Sequence, residues 1–347
     1  MSLEVDIEKQ AGDFYLRTAF SCGKGITGIL GASGCGKSMT LKCIAGIEKP
    51  DRGRIVLDGR ILFDAEKRID LPPQQRRVGY LFQNYALFPG MTVRQNILCG
   101  LHGEKDRKKR EAKADEMLDL LQIRHLAALR PRALSGGQSQ LTALGRILVN
   151  APDLLMMDEP FAALDSHLRL RLQMELKDLL TGYGRNVIMV THDRDEAYRM
   201  CDRLGIMENG RMLAVEDTKA VFADPGTRAA AVITGCKNIA EARKTGVNEV
   251  FVPAWNIYLS TAKPVEDSLK AVGIRAHSFH PEIPENRFPV RIVREMEEPF
   301  ERVSEFRYDG HTEGSPAIWW RYSREIRPPE APEALGVRPE DVLPLYN

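Results

Sequence analysis

The sequence predicts an α/β fold built on a parallel sheet, and three stretches carry the prediction. Gly25–Leu30 is a short apolar run of buried-strand type, residues 31–38 follow as a glycine-rich turn, and residues 39–45 carry apolar side chains at helical spacing. Residues 154–157 (Leu-Leu-Met-Met) form an apolar run ending in Asp158 and Glu159, the pattern of a buried parallel strand that delivers carboxylates to the carboxyl edge of its sheet. Asn186–Thr191 is a third run of the same kind and ends in His192-Asp193.

The turn at 31–38 reads Gly-Ala-Ser-Gly-Cys-Gly-Lys-Ser and fits G-x-x-x-x-G-K-[ST] without a gap. Gly31, Gly34 and Gly36 let the backbone curl so that successive N–H groups face inward, and the positive end of the following helix adds to that field. Such a loop suits a triphosphate. Lys37 is positioned to reach the terminal phosphates and Ser38 to offer its hydroxyl to Mg²⁺, with Ser33, Cys35 and Met39 completing the nucleotide-contacting stretch. A bare glycine-rich turn between core elements is the alternative, and the acids and histidine downstream weigh against it.

At 347 residues the chain is long enough for two domains. A net charge of +1 with 28% charged residues gives no global excess of the kind that marks nucleic-acid binding. The densest basic run, residues 105–110, reads as a solvated helix face. Six cysteines without a Cys-x-x-Cys pair read as reduced thiols of a cytosolic protein. The acidic N-terminus is unlike a signal peptide, and no window of 18 apolar residues predicts a membrane crossing.

In chain order, Leu3, Val5 and Ile7 alternate with acids and residues 14–20 alternate again, which predicts a hairpin ahead of the loop strand. Phe14 or Tyr15 is a candidate to stack on an adenine ring, the alternative being a place in the core. Residues 54–57, an Asp58-Gly59 turn and residues 61–63 predict further antiparallel strands. Residues 78–82 form a strand ending on Gln83, a side chain suited to touch a metal or its water, and an apolar, aromatic loop follows at 84–89. Residues 107–124 predict an amphipathic helix. Ser135, Gly136, Gly137 and Gln138 then open a helix with a capping serine and free N–H groups, a second candidate anion site, though plain capping accounts for the same residues. Asp158 is a candidate to hold Mg²⁺ and Glu159 to polarise an attacking water, while Asp165 precedes a helix predicted over 168–180.

Taken together, residues 31–38, Gln83, the Leu-Ser-Gly-Gly-Gln stretch at 134–138, residues 155–159, Ala163 to Asp165 and His192 resemble the ATP-binding cassette ATPases in order and spacing, over about residues 1–235. The resemblance implies a P-loop ATPase core with an antiparallel β subdomain and a helical subdomain, working with ATP and Mg²⁺. It implies that two cassettes, identical or paralogous, pair head to tail, so that Ser135, Gly136, Gly137 and Gln138 serve the partner's nucleotide. It further implies that Gln83 senses metal and couples, that Glu159 is the base and that His192 contacts the terminal phosphate, with Asp165 also at the nucleotide. Two departures follow the signature: Ser139-Gln140-Leu141 replaces the usual basic residue, and Gly145 interrupts the helix at a cost of about 1 kcal/mol.

Residues 58–60, 76–80 and 83–89 resemble importer cassettes for molybdate, tungstate or sulfate, features shared with polyamine and sugar importers. That resemblance implies a peripheral subunit at the cytoplasmic face, docked on a separate permease through the loop after Gln83 and served by an extracytoplasmic solute-binding protein. A soluble cassette acting on DNA or ribosomes, and a nucleotide switch without turnover, are the competing readings; the chain lacks the long coiled-coil insertion, tandem cassette and basic face of the former. Residues 236–347 predict a small C-terminal β-barrel of oligonucleotide-binding type, resembling transport-associated accessory domains, with strands at 249–252, 258–260, 289–294 and 317–322. It is read as either a dimer-strengthening part or an anion sensor. Val272-Gly273-Ile274-Arg275 and Leu335-Gly336-Val337-Arg338 form an internal echo too short to establish a repeat.

Overall fold

The structure, a computed structural model, describes residues 2–162, 164, 166–324 and 332–346. The chain divides into two compact units, Met1–Thr218 and Lys219–Asn347.

In the first unit an 11-stranded sheet runs from an antiparallel half to a parallel half. The antiparallel half starts with β1 (Leu3–Ala11) and β2 (Phe14–Cys22), paired as the expected hairpin with Leu3 opposite Cys22. Leu3, Val5 and Ile7 are buried and Glu4 and Asp6 exposed, as period-2 alternation requires of a strand with one solvated face. The phosphate-loop strand β3 (Gly25–Leu30) leads into α1 (Lys37–Ala45). Three antiparallel strands follow, β4 (Arg52–Leu57), β5 (Arg60–Asp64) and β6 (Ile69–Asp70), and then the short helix α2 (Pro73–Arg76).

The parallel half contains β7 (Val78–Leu81), β8 (Leu154–Asp158) and β9 (Asn186–Thr191), side by side with β3 in the order β3-β9-β8-β7. Every residue of β8 and β9 is buried, because helices cover both faces of this part of the sheet. Between β7 and β8 lie α3 (Val93–Cys99), α4 (Arg107–Leu120) and α5 (Gly136–Leu148), the expected helical insert. After β8 come α6 (Ser166–Tyr183), then β9, then α7 (Arg194–Met200). Two strands absent from the sequence reading, β10 (Arg203–Glu208) and β11 (Arg211–Asp217), close the gap between β3 and β2 and fuse the halves. Among the described residues no helix is long and apolar enough to cross a membrane, and all six cysteines are free thiols, five of them buried.

The second unit holds helices Thr218–Ala223 and Arg228–Ile233 and three small antiparallel sheets that wrap one apolar core as a half-barrel. The expected boundary at 235 falls inside this unit, because Ala231 and Cys236 share an apolar cluster with Ala271 and Leu345. Trp320 is 2% exposed and its indole N–H donates to the Phe279 carbonyl at 2.9 Å. The internal echo has a structural counterpart. Ser278 N–H donates to the Arg275 carbonyl and Asp341 N–H to the Arg338 carbonyl, both at 3.0 Å, so the two Gly-x-Arg segments end in the same turn. The turns meet where Ser278 Oγ donates to Asp341 Oδ1 at 3.0 Å.

Gly145 has a packing reason that outweighs its helix propensity. A Cβ there would stand 2.8 Å from Leu121 Cδ1 and 3.2 Å from Ile97 Cδ1, both in the core. The same approach of α3 to α5 is tighter at Gly100, where a Cβ would meet the Arg146 carbonyl oxygen at 2.0 Å. Backbone cannot yield as a side-chain tip can, so Gly100→Ala is expected to cost about 1–3 kcal/mol through forced separation of the two helices. A lower urea midpoint at unchanged slope is the readout, and an unchanged midpoint would contradict it.

Candidate functional site

Parallel strands in register end together, and this brings the candidate residues to one edge. Leu30 pairs with Thr191, Val190 with Asp158, and Met157 with Leu81. The segments that leave these ends are the phosphate loop, the His192 turn, the Asp158–Glu159 step and the loop through Gln83.

In the phosphate loop Gly34 and Gly36 hold φ of 81° and 108°, left-handed values that favour glycine. A Cβ on Gly31 would stand 2.5 Å from Cys35 Sγ and from the Met207 carbonyl oxygen, so the loop closes on β10 only because that position has no side chain. Lys37 is 4% exposed, and its ammonium donates to the Gly31 and Ala32 carbonyls at 2.8 and 2.9 Å. A cleft of about 420 Å³ opens over the loop, lined by Phe14, Ser33, Gly34, Gly36, Lys37, Ser38, Met39 and Glu159 together with Lys42 and Glu48. Phe14 lines it, whereas Tyr15 is 44% exposed and does not.

Asp158 joins three elements. Its Oδ1 accepts from Ser38 Oγ and its Oδ2 from the Tyr80 phenol, each at 2.8 Å. Burial, and then the Asp158 carboxylate beside it, push the Tyr80 phenol well above its ordinary range, so it remains a donor. Among the described residues no cluster of three or more His, Cys, Asp or Glu forms a metal cage. A hydroxyl and one carboxylate beside a phosphate loop is instead a donor set that suits Mg²⁺, which keeps waters and phosphate oxygens in its shell.

Glu159 sits beside them with φ of +47°, a conformation a non-glycine residue holds at a cost of about 1–3 kcal/mol. Its N–H donates to the Val190 carbonyl at 3.0 Å, which locks the turn to β9. The carboxylate is then met from two sides: Gln83 Nε2 donates to Oε2 at 3.4 Å, and His192 Nδ1 stands 3.1 Å from Oε1. A carboxylate next to the phosphate loop, oriented by an amide and an imidazole, is equipped to accept a proton from a bound water.

Ser135, Gly136, Gly137 and Gln138 stand apart. Ser135 caps α5 in a reciprocal box with Gln138: Gln138 N–H donates to Ser135 Oγ at 3.3 Å, and Ser135 N–H donates to Gln138 Oε1 at 3.0 Å. Ser135 and Gly136 are exposed, and among the described residues no hydrogen bond links this stretch to the phosphate loop. Asp165, with Ala163 before it, lies outside the described residues.

Two site residues escaped the sequence reading. Tyr80 is read from the sequence only as part of an apolar strand and of the 76–80 stretch that resembles importer cassettes, with no role at Asp158. Arg146, near the far end of α5, donates to the Ala86 and Tyr85 carbonyls at 2.8 and 3.0 Å and lies over the Phe88 ring, pinning the loop after Gln83. Tyr80→Phe should remove one of two donors to a buried carboxylate and cost about 1.5–3 kcal/mol. Calorimetry of the apo chain checks this, and an unaltered melting temperature would exclude Tyr80 from holding Asp158.

Residues 17–162 match the family model described as ABC transporter. The chain is 38% identical over 226 residues to the molybdenum import ATP-binding protein ModC of Paramagnetospirillum magneticum, a match covering 65% of this chain and 62% of that protein. It thus spans less than two thirds of that relative's length. It is 36% identical over 279 residues to the spermidine/putrescine import ATP-binding protein PotA of Oleidesulfovibrio alaskensis, covering 77% of this chain and 73% of that protein. Among solved structures, cbiO1 of Clostridium perfringens, described as part of the ABC transporter complex cbiONQ, superposes with a TM-score of 0.58 at 28% identity, over 64% of this chain and 91% of that one. With its phosphate loop, acids and histidine gathered at one sheet edge and this identity running through most of a full-length relative, the chain belongs to the ABC transporter family.

Proposed function

We propose that the chain is the ATP-hydrolysing subunit of an importer, peripheral to the cytoplasmic face of a membrane and coupled to a separate permease. The observation that supports this reading is a cleft lined by Lys37, Ser38 and Glu159, with Asp158 bonded to Ser38 and with Gln83 and His192 beside the Glu159 carboxylate. Lys37, with the N–H groups of residues 33–39, binds the β- and γ-phosphates, and Phe14 stacks on the adenine. Ser38, Asp158 and Gln83 hold Mg²⁺, which when bound neutralises phosphate charge. Glu159 accepts a proton from the water that attacks the γ-phosphorus in line, as the bond to the ADP oxygen breaks. His192 orients Glu159 and reaches the γ-phosphate.

The two anion-binding helix ends on one chain, α1 and α5, support a head-to-tail dimer. A contact between the phosphate loop of one chain and the start of α5 of the other, made twice about a two-fold axis, is isologous and closes; it brings Ser135, Gly136, Gly137 and Gln138 to the partner's nucleotide, with Asp165 at the same boundary. A division of labour between residues 1–235 and an accessory part at 236–347 goes with this reading. The cargo we infer is an oxyanion of the molybdate or tungstate class, delivered by an extracytoplasmic binding protein. The ModC relative favours it, and the PotA relative favours a polyamine as the second reading.

Glu159→Gln should lower Mg²⁺-dependent ATP hydrolysis by about 10²–10⁴-fold and accumulate an ATP-bound dimer on size exclusion. Hydrolysis at the unaltered rate would remove Glu159 as the base. Wild-type hydrolysis measured with added molybdate, tungstate, sulfate or putrescine addresses the cargo. Depression by molybdate or tungstate at about micromolar levels is the expected result, and a response to putrescine alone would move the cargo to polyamines.

A further inference from the structure

Glu196 lies in the first turn of α7, four residues beyond His192, and is 4% exposed. Its Oε2 accepts from Thr191 Oγ1 at 2.9 Å, while Oε1 is buried without a partner. Thr191 Oγ1 in turn accepts the Asp193 N–H at 3.0 Å, so one hydroxyl fastens both residues that flank His192. Asp193 caps α7, receiving the N–H groups of Asp195 and Glu196 at 2.9 and 3.0 Å. From α6, Arg169 stands 3.7 Å from Asp193 Oδ2 and donates to the Leu164 carbonyl at 2.9 Å. Arg169 Nε and Gln173 Nε2 are buried on the same helix without partners.

We propose that Glu196 is a positioning residue for His192: acting through Thr191, its buried carboxyl holds the turn that sets the imidazole against Glu159. This rests on the catalytic reading given above for Glu159 and His192. A helix-start acid with no further role would be solvated; this one is enclosed and leaves one oxygen without a donor.

The enclosure has a consequence for pH. Burial pushes the Glu196 carboxyl up to about 7, and Asp193 adds to the rise, whereas the Thr191 hydrogen bond, Arg169 and His192 oppose it. The neutral form fits the site. The ionised form repels Asp193 and draws Arg169 away from Asp193 and the Leu164 carbonyl, loosening the turn on both sides of His192. Cys201 at the end of the helix, itself pushed up by burial and then by Glu196, remains a neutral thiol. Because the folded-state value is raised above that of the unfolded chain, the native state binds the extra proton. Stability is therefore full below the unfolded value and falls as pH rises toward about 7.

The test compares wild type, Glu196→Gln and Glu196→Ala in the full chain. Gln keeps the shape and the Thr191 hydrogen bond but cannot ionise. Its melting temperature should hold between about pH 5 and about pH 8 where that of wild type falls. Its kcat for ATP should match wild type at about pH 6 and exceed it severalfold at about pH 8.5, whereas Ala should lose about tenfold in kcat at unchanged KM across the range. Parallel melting and activity profiles for Gln and wild type, or full activity in Ala, would overturn the proposal. A wild type without ATPase activity would overturn the catalytic reading and with it this proposal, while the melting profiles would still report whether Glu196 titrates.

Discussion

The carboxylate of Asp158 is the interaction on which the rest of the site depends. Taking a charged group out of water is unfavourable unless it is hydrogen-bonded, and here two hydroxyls do that from residues 120 and 78 positions away in the chain. Ser38 belongs to the helix that follows the phosphate loop and Tyr80 to the strand beside β8. The distance between loop and sheet edge is thereby fixed by hydrogen-bond lengths rather than by loose packing, and Glu159, one residue further on, inherits that placement.

Glu159 is held in a left-handed conformation that its side chain disfavours. A residue there that favoured stability alone would be glycine. The strain persists because the N–H bond to β9 and the contacts from Gln83 and His192 over-determine the turn. Three of the parallel strands therefore contribute to the orientation of one carboxylate. A fixed orientation is worth more to a proton acceptor than the same group on a mobile loop.

The parallel core was legible because strands buried on both faces must be continuous apolar runs, as β3, β8 and β9 are, and because glycine spacing marks the phosphate loop. The fusing strands β10 and β11 were not read, since the burial of β11 follows no clean alternation. The Asn209-Gly210 turn between them was the available signal, an Asn-Gly pair with both residues at positive φ. Gly145 was misjudged because propensity is a local quantity, whereas its neighbours Ile97 and Leu121 come from two other segments. The roles of Tyr80 and Glu196 could not be read. A tyrosine among apolar residues and a glutamate at a helix start are ordinary in sequence, and only the fold makes one a donor to Asp158 and buries the other.

The α5 helix links two features that the sequence presents as separate. Its start is capped by Ser135 in a box with Gln138, and near its other end Arg146 grips the carbonyls of Tyr85 and Ala86, both at positive φ in the loop that follows Gln83. Thirteen helical residues span about 20 Å as one rigid rod. At Gly100 and Gly145 the rod lies against α3 and Leu121 so closely that even a single added carbon would collide. Arg146 thereby ties the helix that Ser135 caps to the loop leading on from Gln83, whose amide meets the Glu159 carboxylate, so that the two features share one piece of backbone.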